Sequence, residues 1–565
     1  AARVPRESAP EGDEARKRWE QRPRVVSRAH YKTDGMGFNL DATSHLFVAS
    51  VESALRGDAE PAPAVVQITF GEGDCRAPAW SPDGARLAYV RDRDGRAEFS
   101  RADIWVAGAD GSDARRLTTA GVGRAASPSW SPDGTRIAFY ATDEDEAGLG
   151  DPAVHVYLAR VDGPSPGAGG TSGGMSVPSR VAPDDDRSAN LLRPPQVSPG
   201  PAWAADGSSL LYAVDDAGNV VLVRAGLESP LAQPVIGGER WITTHSLTSG
   251  GDAIAFSASD PHTPGDVFCC AADGSAERRL TAVNGPLLAS LALARVERRS
   301  FPTPTGDAVE GWLYLPPEPP ATPRPLPLLL HVHGGPHSFA GNVFPFSAFM
   351  CHVLPGRGWA VLALNPSGSG SYSKDFAHRI RGRWGELDLP EQLGAADALV
   401  AEGIADGERL AIAGYSYGGY MTSWANGQTT RFRAAVVGAP VTNLESFSGT
   451  SDIGPWFGPW EMGSATLDRE EARETMRRLS PISYVERVRT PTLIVHGTTD
   501  DRCPIGQGEE FFAALAAAGR APAEMVRYPG GAHGFVASGR PSHRVDYVRR
   551  AVEWLERYTV RNEER

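Results

Sequence analysis

Ala411-Ile412-Ala413-Gly414-Tyr415-Ser416-Tyr417-Gly418-Gly419-Tyr420-Met421 is the stretch on which the fold turns. Its first residues are small and apolar, the end of a strand, and its last open a helix expected over 418–426. Between them a Gly-x-Ser-x-Gly pattern sets a serine at a sharp strand-to-helix bend. Bulk beside the serine would clash there, and glycine stands two residues before it and two after. The bend lifts the Ser416 hydroxyl clear of the sheet and leaves it at a helix N-terminus, where developing negative charge is favoured. Ser416 is the candidate nucleophile.

Outward from the bend, strand-like and helical runs alternate from residue 296 to the end. Strands are expected at 326–332, 359–364, 410–414, 434–437, 492–495 and 524–528. Helices are expected at 390–402, 418–426, 469–479, 506–518 and 545–558. Such alternation predicts a mostly parallel sheet covered on both faces, and with the serine bend it reads as an α/β-hydrolase catalytic domain over 296–565. Two downstream loops supply partners for the serine. His533 lies in Tyr528-Pro529-Gly530-Gly531-Ala532-His533-Gly534-Phe535, between the last expected strand and the final helix. It is the candidate general base, because imidazole titrates near neutral pH. In His496-Gly497-Thr498-Thr499-Asp500-Asp501, Asp500 is chosen as the carboxylate that holds the imidazole tautomer. Asp501 is expected to face solvent or to cap the helix beginning near Gly506.

Upstream, His331-Val332-His333-Gly334-Gly335-Pro336 closes an apolar strand. Paired glycines there let backbone N–H groups face the oxygen of a tetrahedral intermediate, and the N–H of Tyr417 supplies a second donor. His331 and His333 are not read as metal ligands, because no Cys, His or carboxylate cluster completes a site. No metal and no cofactor are expected.

Residues 30–295 obey a different pattern. Pro78-Ala79-Trp80-Ser81-Pro82-Asp83-Gly84 followed by an alternating apolar run recurs as Pro128-Ser129-Trp130-Ser131-Pro132-Asp133-Gly134. A weaker copy is Pro201-Ala202-Trp203-Ala204-Ala205-Asp206-Gly207, and a decayed one begins at Ser246. Asp-Gly marks a hairpin turn, and units of about four strands every 40 to 50 residues are the period of propeller blades. A β-propeller of about five blades is expected over 30–295, counting 30–69 as one, with 1–29 as an extension. A sandwich array without closure is the alternative. Residues 163–187, rich in Gly, Ser, Pro and Asp, read as a flexible excursion between blades.

With 565 residues the chain is too long for one core. Its 41% hydrophobic and 22% charged residues describe an ordinary globular protein, and a net charge of −13 opposes nucleic-acid or anionic-membrane partners. No window holds the roughly 18 consecutive apolar residues of a membrane helix. Five irregularly spaced cysteines argue against a disulfide framework or a zinc site. The first residues, Ala1-Ala2-Arg3-Val4-Pro5, include neither an initiator Met nor an apolar signal core. A cytoplasmic location is expected, with the front end missing or processed.

A tolB-like propeller before a hydrolase domain carrying His333-Gly334-Gly335-Pro336, Gly414-Tyr415-Ser416-Tyr417-Gly418-Gly419-Tyr420, His496-Gly497-x-x-Asp500 and Gly530-x-x-His533-Gly534 resembles the prolyl oligopeptidase family of serine peptidases. The acylaminoacyl-peptidase-like branch is the most similar. Asn365-Pro366-Ser367-Gly368-Ser369-Gly370-Ser371-Tyr372 and Trp384-Gly385-Glu386-Leu387-Asp388 match as well. The resemblance implies that Gly335 and Tyr417 form the oxyanion hole. It implies that Arg502 hydrogen-bonds bound peptide, with a plain surface arginine as the alternative. In the loop expected over 441–462, Val441, Phe447, Trp456 and Phe457 either line the pocket for the side chain before the scissile bond or pack the core.

The implied activity is cleavage of short peptides through an acyl-enzyme, as an acylaminoacyl-peptidase or a related exo- or oligopeptidase, with the propeller screening out large substrates. A small-molecule esterase or amidase with the same triad, and a propeller-based binding protein, are the alternatives. Relatives often assemble, so a homo-oligomer joined by an exposed edge strand is also expected. Such relatives have about seven blades, and the smaller count here points to N-terminal blades missing from this chain, with an open ring as the alternative.

Overall fold

In a computed structural model describing residues 1–5, 12–39, 42–51, 65–93, 101–118, 121–143, 153–162, 178–189, 199–317, 325–462 and 470–560, each copy of the Asp-Gly phrase folds alike. Ser81 N–H donates to Arg86 O, Ser131 N–H to Arg136 O, Ala204 N–H to Ser209 O and Thr248 N–H to Ala253 O, all at 2.9–3.0 Å. Gly84, Gly134 and Gly207 sit at φ +69° and Gly251 at φ +72°, a conformation that glycine adopts without strain. In the first three copies the aspartate carboxylate accepts the N–H two residues on, closing the turn.

Each turn joins the first two strands of a four-stranded antiparallel blade. The blades are Cys75–Trp80, Arg86–Asp92, Ala102–Gly108 and Arg115–Arg116; then Ala125–Trp130, Arg136–Ala141, His155–Arg160 and Ser179–Arg180. The third is Ala202–Trp203, Ser209–Asp216, Asn219–Gly226 and Gln233–Ile236. The fourth is Trp241–Leu247, Ala253–Asp260, Thr263–Ala271 and Arg278–Arg279. The repeated tryptophan explains why the phrase persists: Trp130 Nε1–H donates to Ala79 O at 3.0 Å and Trp203 Nε1–H to Ser129 O at 3.1 Å, each hooking the preceding blade.

Within 30–69, counted above as a fifth blade, the described residues give smaller pieces. Phe47–Ala49 pairs with Val65–Gln67, Ala42–His45 pairs with Ala2–Pro5, and Lys32–Thr33 with Gly37–Phe38 forms a separate hairpin. Most of the expected excursion at 163–187 lies outside the described residues.

The C-terminal half is built on one eight-stranded sheet. Its strands are β1 (Arg295–Pro302), β2 (Ala308–Leu315), β3 (Leu326–Val332), β4 (Ala360–Asn365), β5 (Ala405–Tyr415), β6 (Phe432–Gly438), β7 (Thr492–Gly497) and β8 (Ala523–Tyr528), in the order β1-β2-β4-β3-β5-β6-β7-β8. From β4 to β8 neighbours run parallel, and β2 is antiparallel to both of its neighbours. The central strands are almost wholly apolar and buried, as a sheet covered on both faces requires. Such sheets present loops at the carboxyl ends of their strands, and every candidate catalytic residue lies on one of those loops.

Blades three and four meet this sheet directly. The hairpin tip Ala217-Gly218 donates its N–H groups to Ser371 O (2.7 Å) and Ser371 Oγ (2.8 Å), while Gly218 O accepts from Asn342 N–H at 2.8 Å. A Cβ at Gly218 would stand 2.0 Å from the Trp312 ring, so only glycine fits. Trp241 stacks on Phe339 at 4.9 Å nearby.

Candidate active site

Ser416 occupies φ 63°, ψ −119°, between β5 and the helix Tyr417–Gln428. A side chain is rarely held there, and the neighbouring glycines show what permits it. A Cβ on Gly414 would lie 2.5 Å from the Gly418 backbone, one on Gly418 would lie 2.2 Å from Val332 O, and one on Gly419 would lie 2.2 Å from Gly438 O. Ser416 N–H donates to Gly438 O at 2.9 Å, fastening the bend to β6.

His533 and Asp500 are joined. The imidazole Nδ1 lies 2.8 Å from Asp500 Oδ2, and the other carboxylate oxygen accepts Cys503 N–H at 2.8 Å. His496 lies 3.5 Å from the same carboxylate and bonds Cys503 O at 2.8 Å, so the acid is gripped from two sides. Burial alone would push the Asp500 carboxyl up, but the His533 charge and the hydrogen bonds from His496 and His533 outweigh it and hold Asp500 down at about 2. The carboxylate is therefore ionised at any working pH. Tyr415, next to the nucleophile, donates its hydroxyl to His533 O at 2.9 Å and fixes the base loop against the elbow.

No hydrogen bond joins the Ser416 hydroxyl to the imidazole in this structure; its oxygen faces Cys503 Sγ at 3.9 Å. Catalytic contacts of this kind commonly tighten only when substrate binds. Of the two oxyanion candidates, Tyr417 follows the serine directly. Tyr417 opens its helix, so its N–H has no acceptor within that helix. Its hydroxyl is anchored on Asp388, whose carboxyl is pushed up to about 7 by burial against the pull of the Tyr417 and Gly385 hydrogen bonds. Gly334 lies against the elbow, where a Cβ would be 3.3 Å from Tyr415 O, and Gly335 has φ +123°. His333 bonds Gly334 O (2.8 Å) and Ser369 Oγ (3.0 Å), which is structural employment for that histidine.

Arg502 makes a two-pronged ion pair with Asp452, at 2.7 and 3.2 Å. Val441, Phe447 and Phe457 are buried in the main core with Tyr417, and Trp456 packs partly buried beside them. The stretch 441–462 is not the expected loop: Leu444–Thr450 and Gly454–Glu461 are helices, the first capped by Asn443. Asp501 caps no helix; its carboxylate is partly exposed to solvent and Lys32 Nζ lies 2.8 Å from it. Among the described residues no group of His, Cys, Asp and Glu is arranged to hold a metal, and no helix is long and apolar enough to cross a membrane.

The residues that sequence reasoning missed are Tyr415, Cys503, His496 and Asp34. The first three adjoin motifs that were read. Asp34 carries no such signal beyond the turn dipeptide Asp34-Gly35. Its carboxylate accepts the backbone N–H groups of Asp501 and His533, at 3.0 and 3.1 Å.

Residues 344–561 match the model of the prolyl oligopeptidase family. An uncharacterized peptidase of Bacillus subtilis, YuxL, is 33% identical over 359 residues, covering 63% of this chain and 53% of that protein. The acylamino-acid-releasing enzyme of Arabidopsis thaliana is 32% identical over 237 residues, covering 41% of this chain and 30% of that one. The chain thus spans about half or less of the length of these relatives. Among solved structures, an acylaminoacyl peptidase of Pyrococcus horikoshii superposes with a TM-score of 0.75 at 24% identity, over 95% of this chain and 78% of its own. A puromycin hydrolase superposes with a TM-score of 0.64 at 21% identity, over 89% and 81%. These likenesses establish the fold, an N-terminal propeller followed by an α/β-hydrolase domain.

Proposed function

We infer, from a chain that carries a prolyl oligopeptidase family domain over residues 344–561, that it is a serine peptidase acting on short peptides through an acyl-enzyme. The observation that carries this reading is the 2.8 Å link between His533 and Asp500, beside a serine on a strained elbow. Ser416 attacks the carbonyl carbon, and its proton passes to His533 Nε2 while Asp500 stabilises the imidazolium. The N–H groups of Tyr417 and Gly335 take the oxyanion. The protonated imidazole then protonates the departing amine, and water repeats the sequence on the ester.

The acylaminoacyl-peptidase specificity is proposed from the names of the relatives, and related exo- or oligopeptidase action is the wider form of the same reading. A screening role for the propeller, homo-oligomer formation and the absence of nucleic-acid or membrane partners belong to the proposal. So does a cytoplasmic location, supported by five free cysteines. The test is hydrolysis of N-acetylated, free and internally blocked peptide p-nitroanilides of graded length, set beside simple p-nitrophenyl esters. Preference for short acylated peptides is expected. Dominance of the esters in kcat/KM would transfer the protein to the esterases.

A further inference from the structure

The hairpin Lys32–Thr33/Gly37–Phe38 lies in the propeller half of the sequence, yet its partners are the loops of the hydrolase. Asp34, at its tip, accepts Asp501 N–H on Oδ1 at 3.0 Å and His533 N–H on both oxygens at 3.1 Å, across separations of 467 and 499 residues. Its own N–H donates to Asp452 Oδ2 at 2.9 Å, on the carboxylate that also holds Arg502. Lys32 pairs with Asp501, and His30 meets Trp456 edge-on at 5.8 Å.

We propose that Asp34 is a positioning residue for the catalytic acid and base, clamping the Asp500–Asp501 loop to the His533 loop by one carboxylate supplied from outside the hydrolase sheet. This rests on the peptidase reading above. The two loops leave adjacent strands, β7 and β8, and a further tie between them is Thr499 N–H to Gly531 O at 3.0 Å. That bond fixes the loop stems. Asp34 grips the backbone of His533 itself and of the residue after Asp500, so it sets the angle at which carboxylate and imidazole meet. The charged and titratable groups around it are Asp452, Asp500, Asp501, Arg502, His533 and Tyr415 from the hydrolase and Lys32 from its own hairpin. Burial pushes the Asp34 carboxyl up, and the N–H groups of Asp501 and His533 pull it part of the way back.

The experiment compares wild type, Asp34→Ala and Asp34→Asn for kcat, KM and pH profile on N-acetylalanyl-p-nitroanilide. It also follows labelling of Ser416 by a fluorophosphonate, with a thermal melt of each variant. Asp34→Ala is expected to lower kcat by about ten- to a hundredfold, with KM within about twofold, since two charge-assisted bonds are lost. Asp34→Asn keeps an acceptor oxygen for both N–H groups and is expected to recover most of kcat. Its acidic limb should move to lower pH, because a negative charge beside the imidazolium is gone. Labelled wild type with an Asp34→Ala variant of unchanged kcat and pH profile overturns the proposal and leaves the peptidase reading standing. If Asp34→Ala melts early, Asp34→Asn decides: an unmoved acidic limb overturns the proposal. Wild type that resists labelling at Ser416 overturns the peptidase reading, and this one with it.

Discussion

Under the proposed triad of Ser416, His533 and Asp500, each member should fail in its own way. Ser416→Ala is expected to lose at least about a thousandfold in kcat while remaining folded. Asp500→Asn should cost about ten-thousandfold through the wrong imidazole tautomer. Steady-state kinetics on one peptide substrate check both. Two buried carboxyls also make opposite predictions for stability. Asp500 is depressed to about 2 from an ordinary 3.8, so its contribution is whole above 3.8 and drains away as pH falls towards 2. Asp388 is raised to about 7 from 3.8, so the fold is favoured while it is protonated and loses that advantage as pH climbs from 3.8 through 7. Asp388→Asn mimics the protonated acid. It should melt above wild type at pH 5 and by a wider margin at pH 8.5; an equal margin at both pH values removes Asp388 as the cause. Single residues were legible in the sequence where local backbone chemistry announced them. The glycines around Ser416 are dictated by contacts within a few residues or with an adjacent strand. Asp34 could not be read, because its partners stand 467 and 499 positions away and a carboxylate in a turn is ordinary.

At the scale of elements the elbow and the blade are the informative units. Gly418→Ala would put a methyl 2.2 Å from Val332 O, a backbone atom that cannot swing aside. A loss of about 1–3 kcal/mol is expected, with slower fluorophosphonate labelling of Ser416. Denaturant melts and labelling kinetics measure the two effects. Trp130→Phe keeps most of the packing and deletes the hydrogen bond to Ala79 O, so about 1 kcal/mol should go. Parallel strands such as β3 were readable as continuous apolar runs. β1 was not, since its charged run Glu297-Arg298-Arg299 belongs to a sheet edge, where Arg298 pairs with Glu310 and Arg299 with Glu402 and Glu297. The helix Gly454–Glu461 hid behind two Gly-Pro pairs that ordinarily signal turns; Pro455 is harmless in a first helical turn, and Pro459 lies inside the helix.

Among the described residues, the groups that fasten the propeller half to the sheet gather on the third and fourth blades and on the hairpin carrying Asp34. Gly218→Ala would drive a methyl to 2.0 Å from Trp312, at a residue whose φ is +81°. Calorimetric unfolding is expected to separate into two transitions in that variant; a single transition at the wild-type temperature would mean the contact carries no coupling. Positions 218 and 312 are consequently bound to one another in descent. A lineage that gains a side chain at the first must already have surrendered the indole at the second, whereas the indole can go while the glycine stays.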